Sequence, residues 1–391
     1  MLDSGCAPNA SFAGAGDGAL RWGPWTLLVA SALVGAQCAM PISRLPQLPQ
    51  DEIDAELRKQ QIAHMREYYG QIHRVDSAAF HIRTANVADC HKRVAAQIGL
   101  YAVTPQSLPR RYRSYAREAL DITWARPTVI SVVDGSPAAR AGIVKGDEIT
   151  ALNGELIPVT GTDDWITLWL LRNGLKPVEA SIRRGGEDRT VTVTPVTGCA
   201  IPVVYAAAEE MNAYTDGEKI VVYAGMLDIA KTEAQLALII GHELAHANLG
   251  HIDKKTVNRL LGMASGLAID GGFALGGIST GGAFRREFTK VGLQAYSVGF
   301  EREADYVGAY YAARAGYDLT GTEEVWRRMG LKDPNSIRFA RTHPATPTRF
   351  IQMQKVAAEI AEKRARGEPL TPDLRFVQAE QPPPQSGETM H

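Results

Sequence analysis

Two patterns of apolar and polar positions divide this chain of 391 residues. Between residues 85 and 195, the runs VEASIRR and DRTVTVTPV alternate apolar and polar positions around Gly185-Gly186, which predicts strands joined by a tight turn. In the second half, TEAQLALIIGHELAHANLGH (Thr232 to His251) combines good helix formers, an acidic first turn and a glycine near its end, which predicts a helix. The expected fold class is therefore α+β, with a mixed α/β unit before a mainly helical one.

The stretch GSPAARAGIVKGDEITALNG (Gly135 to Gly154) predicts a compact series of elements. Ser136 can cap a short helix, and Pro137 suits the first helical position. Glu148 to Leu152 then predicts a strand, and Asn153-Gly154 predicts a hairpin turn.

This stretch resembles a PDZ domain of the bacterial, protease-associated kind. The resemblance implies that an extended peptide binds by adding a strand to an exposed sheet edge. A counterpart of the glycine-rich loop that binds a peptide carboxylate is not evident, so a PDZ fold that serves only as a spacer or lid stays open.

The chain begins and ends with segments that predict no core. TLLVASALVGA (Thr26 to Ala36) follows Arg21 and predicts a signal peptide, with an uncleaved anchor or lipidation at Cys38 as alternatives. A proline-spaced linker follows, and residues 51–73 predict a solvated helix. The tail from residue 365 is polar and proline-rich near its end, which predicts disorder.

Composition limits the partners and the compartment. The net charge of −1 excludes a broad basic field, so nucleic acid is not expected as a partner. Export leaves Cys90 and Cys199 in the body of the protein. In an oxidising compartment they would form a disulfide, and otherwise two buried free thiols.

His242, Glu243 and His246 form an H-E-x-x-H pattern. Two histidines four apart lie on one helix face and can reach one ion, and the pattern is a zinc metalloprotease signature. The alternative is a pair of satisfied core histidines.

Catalytic zinc takes three protein ligands, so one more is needed. His251 is set aside, because a continuous helix would point it away from the face that His242 and His246 share. Glu301 is the better candidate, since its helix face continues through Ala304, Gly308 and Ala312, which are small enough to allow close helix packing.

Asp305 shares the face of Glu301 and is expected to orient a ligating histidine, whereas Glu303 is expected to lie roughly opposite. The alternative interpretation of EREAD is a solvated charged face.

The chain from about Glu209 to Arg349 resembles the gluzincin peptidases that include the CAAX prenyl endopeptidase, HtpX and BepA. The resemblance rests on MNAYTDGEKIVVYAGMLD, GHELAHANLGH, the ExxxD of Glu301 and Asp305, and THPATPTR. It implies a zincin-type fold that binds one zinc ion per chain. The implied ligands are His242, His246 and Glu301, and the implied base is Glu243. The resemblance also implies that His343 is a regulatory zinc ligand or stabilises the reaction intermediate, and that Arg349 of the same motif assists catalysis. A loop structured only by its two prolines is the alternative.

These interpretations divide the chain into five segments. They are a signal peptide or anchor (1–39), a linker and helix (40–84), a PDZ-like domain (85–199), a metallopeptidase domain (200–364) and a disordered tail (365–391). GEKIVVYAGMLD predicts a strand, and the resemblance implies that Val221, Val222, Tyr223 and Ala224 pair with an extended substrate. The glycine-rich residues 260–284 predict a mobile or membrane-apposed segment, with an active-site plug or a buried helical hairpin as alternatives.

The expected function is that of an exported, zinc-dependent endopeptidase, in the periplasm or cell envelope, that acts in protein quality control. Glu243 would take the proton of a zinc-activated water. The alternative is a PDZ-bearing chaperone or adaptor whose zinc site is latent, held shut by His343 or by the glycine-rich segment.

Overall fold

The structure is a computed structural model that describes residues 46–91, 93–108, 110–122, 126–160, 162–275, 280, 283–332 and 347–373. The predicted signal segment, His343 and the tail beyond residue 373 lie outside the described residues. The chain divides into residues 1–54 and 55–391, and every contact reported below lies within the second unit.

The described helices are α1 (Gln50–Ala85), α2 (Ala116–Leu120), α3 (Pro137–Arg140), α4 (Thr162–Asn173), α5 (Ala224–Leu227), α6 (Glu233–Asn248), α7 (His251–Leu275), α8 (Ala283–Arg314), α9 (Glu324–Lys332) and α10 (Pro347–Ala365). The described strands are β1 (Val94–Gln97), β2 (Leu100–Val103), β3 (Thr128–Val132), β4 (Glu148–Leu152), β5 (Glu155–Leu156), β6 (Val178–Arg184), β7 (Glu187–Val193), β8 (Val196–Cys199), β9 (Val203–Ala206), β10 (Ala213–Thr215) and β11 (Ile220–Tyr223). Two short 3-10 turns occupy Val87–Cys90 and Arg110–Tyr115.

An antiparallel sheet of six strands forms the first domain, in the order β2-β3-β4-β6-β7, with β5 paired to β4. Its turns have the chemistry that the sequence predicts, because Asn153 and Gly154 both adopt positive φ, as do Gly185 and Gly186. Trp169 of α4 is fully buried in the core of this sheet. The expected α+β class, with a mixed α/β domain before a mainly helical one, is confirmed.

Helix α1 departs from the solvated helix expected for residues 51–73. It continues to Ala85, and Ile62 and Met65 are buried against the segment that includes Leu108 and Ala116. Its last turns are buried in the core of the helical domain, through residues that include Ile82. The charged composition of its beginning conceals these apolar positions, so one helix contributes to two cores.

Strand β11 is the central strand of a sheet with the order β10-β11-β9. Val221 pairs with Tyr214 of β10 on one side and with Val204 of β9 on the other. The expectation that Val221, Val222, Tyr223 and Ala224 pair with substrate is therefore wrong. Both edges of the strand are occupied, and Ala224 already begins α5.

Residues 260–275 lie in α7, and α7 packs along α8 as a helical hairpin. The predicted mobile segment is thus helical over its described part, and the alternative of a buried hairpin fails because Leu260, Leu261 and Leu267 are exposed. Within the described residues, no helix is long and apolar enough to span a bilayer.

The antiparallel pairing of β1 with β8 sets the spacing of two cysteines. Val94 lies opposite Cys199, and the 3-10 turn just before β1 ends at Cys90. Cys90 and Cys199 form a disulfide with their Cα atoms 5.5 Å apart, and both are buried.

We expect the Cys199→Ser variant to lose stability because its unfolded chain is no longer cross-linked. The two cysteines are 109 residues apart, and a loop of that length corresponds to about 4 to 5 kcal/mol in the chain-entropy model. Urea unfolding of a Cys6→Ser/Cys38→Ser background, with and without Cys199→Ser, measures the difference. Two titratable thiols in that unfolded background without reductant would contradict the bridge.

Candidate metal centre

Helix α6 carries the H-E-x-x-H pattern and is fixed at its start by a reciprocal cap. Thr232 accepts from the backbone N–H of Gln235, and the Gln235 side chain accepts from the N–H of Thr232. All residues from Gln235 to Ala247 are buried, so the three polar residues of the pattern lie inside the protein and need partners there.

Two glycines allow α8 to cross α6 closely. A Cβ atom added at Gly308 would lie 2.6 Å from the backbone nitrogen of His242, and one added at Gly241 would lie 2.6 Å from the carbonyl oxygen of Gly308. The predicted small face of α8 is therefore confirmed at Gly308. This crossing brings Glu301, almost two turns earlier on α8, to the two histidines.

Three candidate ligand residues converge between these helices. The Nε2 atoms of His242 and His246 are 3.1 Å apart, and they lie 3.4 and 3.3 Å from the two carboxylate oxygens of Glu301. Ligands held 2.0–2.1 Å from a tetrahedral metal lie about 3.3 Å from one another. The donor set and its spacing therefore fit zinc, with a coordination position left over.

Asp305 contacts Nδ1 of His242, the ring nitrogen that does not face the other ligands. Its Oδ1 lies 2.9 Å from His242 Nδ1, and Arg349 donates to both of its oxygens at 2.6 and 2.7 Å. Burial would raise the pKa of Asp305, but Arg349 and His242 outweigh it and the pKa lies below its usual value. Burial would lower the pKa of His242, but Asp305 and Glu301 raise it to about 9, and the same carboxylates would stabilise a metal cation.

His251 does not lie where a continuous helix would place it. Helix α6 ends at Asn248, Gly250 adopts a φ of 66°, and His251 begins α7. The reversal returns the fully buried His251 ring to His246, with 2.9 Å between the two Nδ1 atoms. Burial lowers the pKa of His251. The expectation that His251 points away from the pair is thus wrong, although it is not among the three converging ligands.

Two cations lie close to Glu301. Lys255, one turn after the start of α7, places Nζ 3.4 Å from Oε1, and Arg349 places an amino nitrogen 3.7 Å from Oε2. Arg349 is buried and also lies over the Trp326 ring at 4.7 Å. The expected catalytic role of Arg349 stays a prediction, and the described contacts are those of a residue that holds Asp305 and Glu301.

A small pocket lies beside Glu243. It is lined by Asn212, Ala213, Met226, Ile239, His242, Glu243, Trp326, Met329 and Arg349. Its volume of about 20 Å³ is enough for one water molecule. Asn212 and Ala213 belong to the stretch MNAYT that precedes β11, and nothing in the local sequence pattern indicates that they line this pocket.

A buried His-His-Glu cluster on two crossed helices, with a carboxylate directly after the first histidine, is typical of zinc metallopeptidases. Residues 197–357 match the model of peptidase family M48, and residues 128–169 match the model of a PDZ domain. The chain therefore carries a peptidase M48 domain preceded by a PDZ domain. The narrower likeness to the CAAX prenyl endopeptidase, HtpX and BepA stays a prediction.

Curated relatives include the mitochondrial metalloendopeptidase OMA1 of Schizosaccharomyces pombe, 27% identical over 158 residues, which are 39% of this chain and 45% of that protein. Metalloendopeptidase OMA1 of Danio rerio is 33% identical over 173 residues, which are 40% of this chain and 35% of that protein. This chain thus spans less than half the length of these relatives. A crystal structure of the HtrA3 PDZ domain with a phage-derived ligand aligns at 22% identity over 27% of this chain and 88% of that chain, with a TM-score of 0.21, too low to support an argument.

We expect Gly308→Ala to weaken zinc binding, because its methyl group would meet the backbone of His242 and separate the two helices. Gly299→Ala is the matched control on the same helix, where an added Cβ meets nothing within 4 Å. Alanine is favoured over glycine in a helix by about 1 kcal/mol, so propensity alone would make both variants more stable. Zinc titration and thermal unfolding of both variants test this, and equal affinity for zinc would show that the close crossing is unimportant.

Proposed function

We propose that this chain is a zinc-dependent endopeptidase in which His242, His246 and Glu301 hold one zinc ion. The observation that carries the proposal is the separation of 3.1 to 3.4 Å among the facing ligand atoms of three buried residues on two helices. The peptidase M48 match over residues 197–357 supports it.

Glu243 is the proposed general base. When bound, zinc supplies a Lewis acid that polarises the scissile carbonyl and lowers the pKa of a water molecule. The Glu243 carboxylate, buried in the pocket beside His242, takes the proton of that water and delivers it to the leaving amine. The apolar side chains of Met226, Ile239 and Trp326 also line this pocket and would limit the access of bulk solvent during this step.

We propose that the substrate pairs with the outer edge of β10 and not with β11. Among the described strands β10 pairs only with β11, so its other edge can accept a peptide backbone. Ala213 of this strand and the preceding Asn212 line the pocket that contains Glu243. A peptide paired there would run past the metal ligands.

The PDZ domain offers a second peptide-binding edge. Strand β2 ends the six-stranded sheet, and a groove of about 380 Å³ lies between it and α4, with Leu100 on one wall and Ile166 on the other. The turn before β2 contains Gly99 at a φ of 72°, a glycine turn that the local sequence pattern does not indicate. We propose that an extended peptide segment of a protein binds in this groove.

Export to the cell envelope, with a role in quality control, is part of the proposal. The buried Cys90–Cys199 disulfide supports an oxidising compartment. Net charge near zero gives no support to a nucleic-acid partner.

A latent site is the second candidate function. Trp326 and Met329 of α9 form part of the wall of the pocket beside Glu243, where they would restrict the access of a peptide to its carboxylate. In that case the chain would be a PDZ-bearing chaperone or adaptor until this wall opens.

We expect Glu243→Gln to retain zinc and to cleave casein roughly 10² to 10⁴-fold more slowly than wild type, because only the base is removed. Zinc content by atomic absorption and casein hydrolysis measure the two properties separately. Undiminished cleavage by this variant would overturn the assignment of the base. Activity that appears only in His343→Ala or Trp326→Ala would favour the latent site over the constitutive enzyme.

The α7–α8 hairpin is the proposed membrane contact. Val257, Leu260, Leu261 and Leu267 share one face of α7 and are each about half exposed, and exposed Lys254 precedes them on the same helix. A bilayer would cover the apolar face, and anionic headgroups would attract Lys254.

We therefore expect the wild-type protein to float with anionic liposomes and Leu261→Glu/Leu267→Glu to stay at the bottom of the gradient. Leu156→Glu is the control, since Leu156 is an exposed leucine in the PDZ domain. Equal flotation of all three proteins would remove the hairpin as the membrane contact.

A further inference from the structure

We propose that His251 and Glu303 are positioning residues of the metal centre, which hold the His246 ring so that its Nε2 faces the zinc ion. The inference rests on the proposed zinc site and adds two residues to it. Neither residue is itself among the converging ligands.

The three side chains form one connected series. His246 Nδ1 lies 2.9 Å from His251 Nδ1, and His251 Nε2 lies 3.0 Å from a carboxylate oxygen of Glu303. The opposite nitrogen of His246, Nε2, faces Glu301 and His242. Both nitrogens of His246 are therefore directed by neighbouring groups.

The chemistry of these groups fixes the direction of each hydrogen bond. An ionised carboxylate only accepts, so the Nε2–H of His251 donates to Glu303. A neutral imidazole then has Nδ1 as its acceptor, and the Nδ1–H of His246 donates to it. This leaves the lone pair of His246 on Nε2, where a metal ligand needs it.

Packing holds the His251 ring, which lies between His246 and Glu303, in this position. His251 is fully buried and lies against Phe300 of α8, with 4.6 Å between ring centroids and an angle of 21° between the planes. The left-handed conformation of Gly250 is what returns the chain to this place. The ring is thus fixed between two helices and has no space to rotate into solvent.

Helix α8 consequently directs both ligating histidines. Asp305 contacts the outer nitrogen of His242 directly, at 2.9 Å, whereas Glu303 reaches His246 through His251. Glu301, on the same helix, provides the third ligand. One helix therefore supplies one ligand and the orientation of the other two.

The test is the zinc dissociation constant, measured by competition with a chelator on the full chain. His251→Phe keeps a flat ring against Phe300 but has no acceptor, and we expect its zinc affinity to fall 10- to 100-fold. His251→Asn places an amide oxygen near the position of Nδ1 and should recover part of that loss. Glu303→Ala should also bind zinc more weakly than wild type, whereas Glu362→Ala, an exposed helical glutamate, should match it.

Two further measurements separate positioning from general stability. Thermal unfolding of the metal-free proteins reports folding, and the visible spectrum of the cobalt(II)-loaded proteins reports the ligand geometry. Wild-type zinc affinity in folded His251→Phe overturns the inference. If that variant does not fold, wild-type affinity in both His251→Asn and Glu303→Ala overturns it instead.

The proposed zinc site fails in a different way. If His246→Ala binds zinc as tightly as wild type, the ligand assignment is wrong whatever the His251 variants do. If His246→Ala loses zinc and the His251 and Glu303 variants do not, only the positioning role is wrong.

Discussion

The contact between Gly241 and Gly308 determines what the rest of the site can be. At this crossing an added methyl group on either helix would lie 2.6 Å from the backbone of the other. This close crossing brings Glu301 to two histidines on α6, and Asp305 to the Nδ1 atom of His242. The close packing of the two helix backbones is therefore a requirement for the zinc ligands to meet.

The buried carboxylates of the site each lie close to positively charged groups. Asp305 and Glu301 lie between His242, Arg349 and Lys255, so neither carboxylate is buried without a cation nearby. Removing one member of such a buried group usually destabilises a protein by about 3 to 5 kcal/mol, because it leaves its partner charged and unpaired. This is the physical reason to assign Arg349 a structural role first.

The sequence predicted the local elements of the site well and its long-range geometry unevenly. The helix over the H-E-x-x-H pattern and the face that Glu301 shares with Asp305 and Gly308 follow from helical periodicity, which is a local property. The approach of that face to α6 is a long-range contact, which only its small residues and the family resemblance indicated. The position of His251 does not follow from periodicity, because it depends on where α6 ends. A glycine at residue 250 was compatible with either a helix end or a continued helix.

The sequence pattern also did not predict strand pairing and helix burial between distant segments. The alternation in GEKIVVYAGMLD predicts β11, but the strand alone does not reveal that β9 and β10 occupy both of its edges. The charges at the start of α1 similarly predict a solvated helix and conceal its buried face. Both errors concern partners far away in the chain, about which local periodicity carries no information.

The sharing of α1 between two cores has a consequence for the folding unit. A fragment limited to residues 197–357, the M48 match, would lack Ile82 and its neighbours on α1, as well as Cys90, all of which are buried in the core that surrounds α6. That core would open to water along one side. The M48 match begins at residue 197, but the core of the peptidase domain also includes residues of α1. Helix α1 is therefore an N-terminal part of the same cooperative unit.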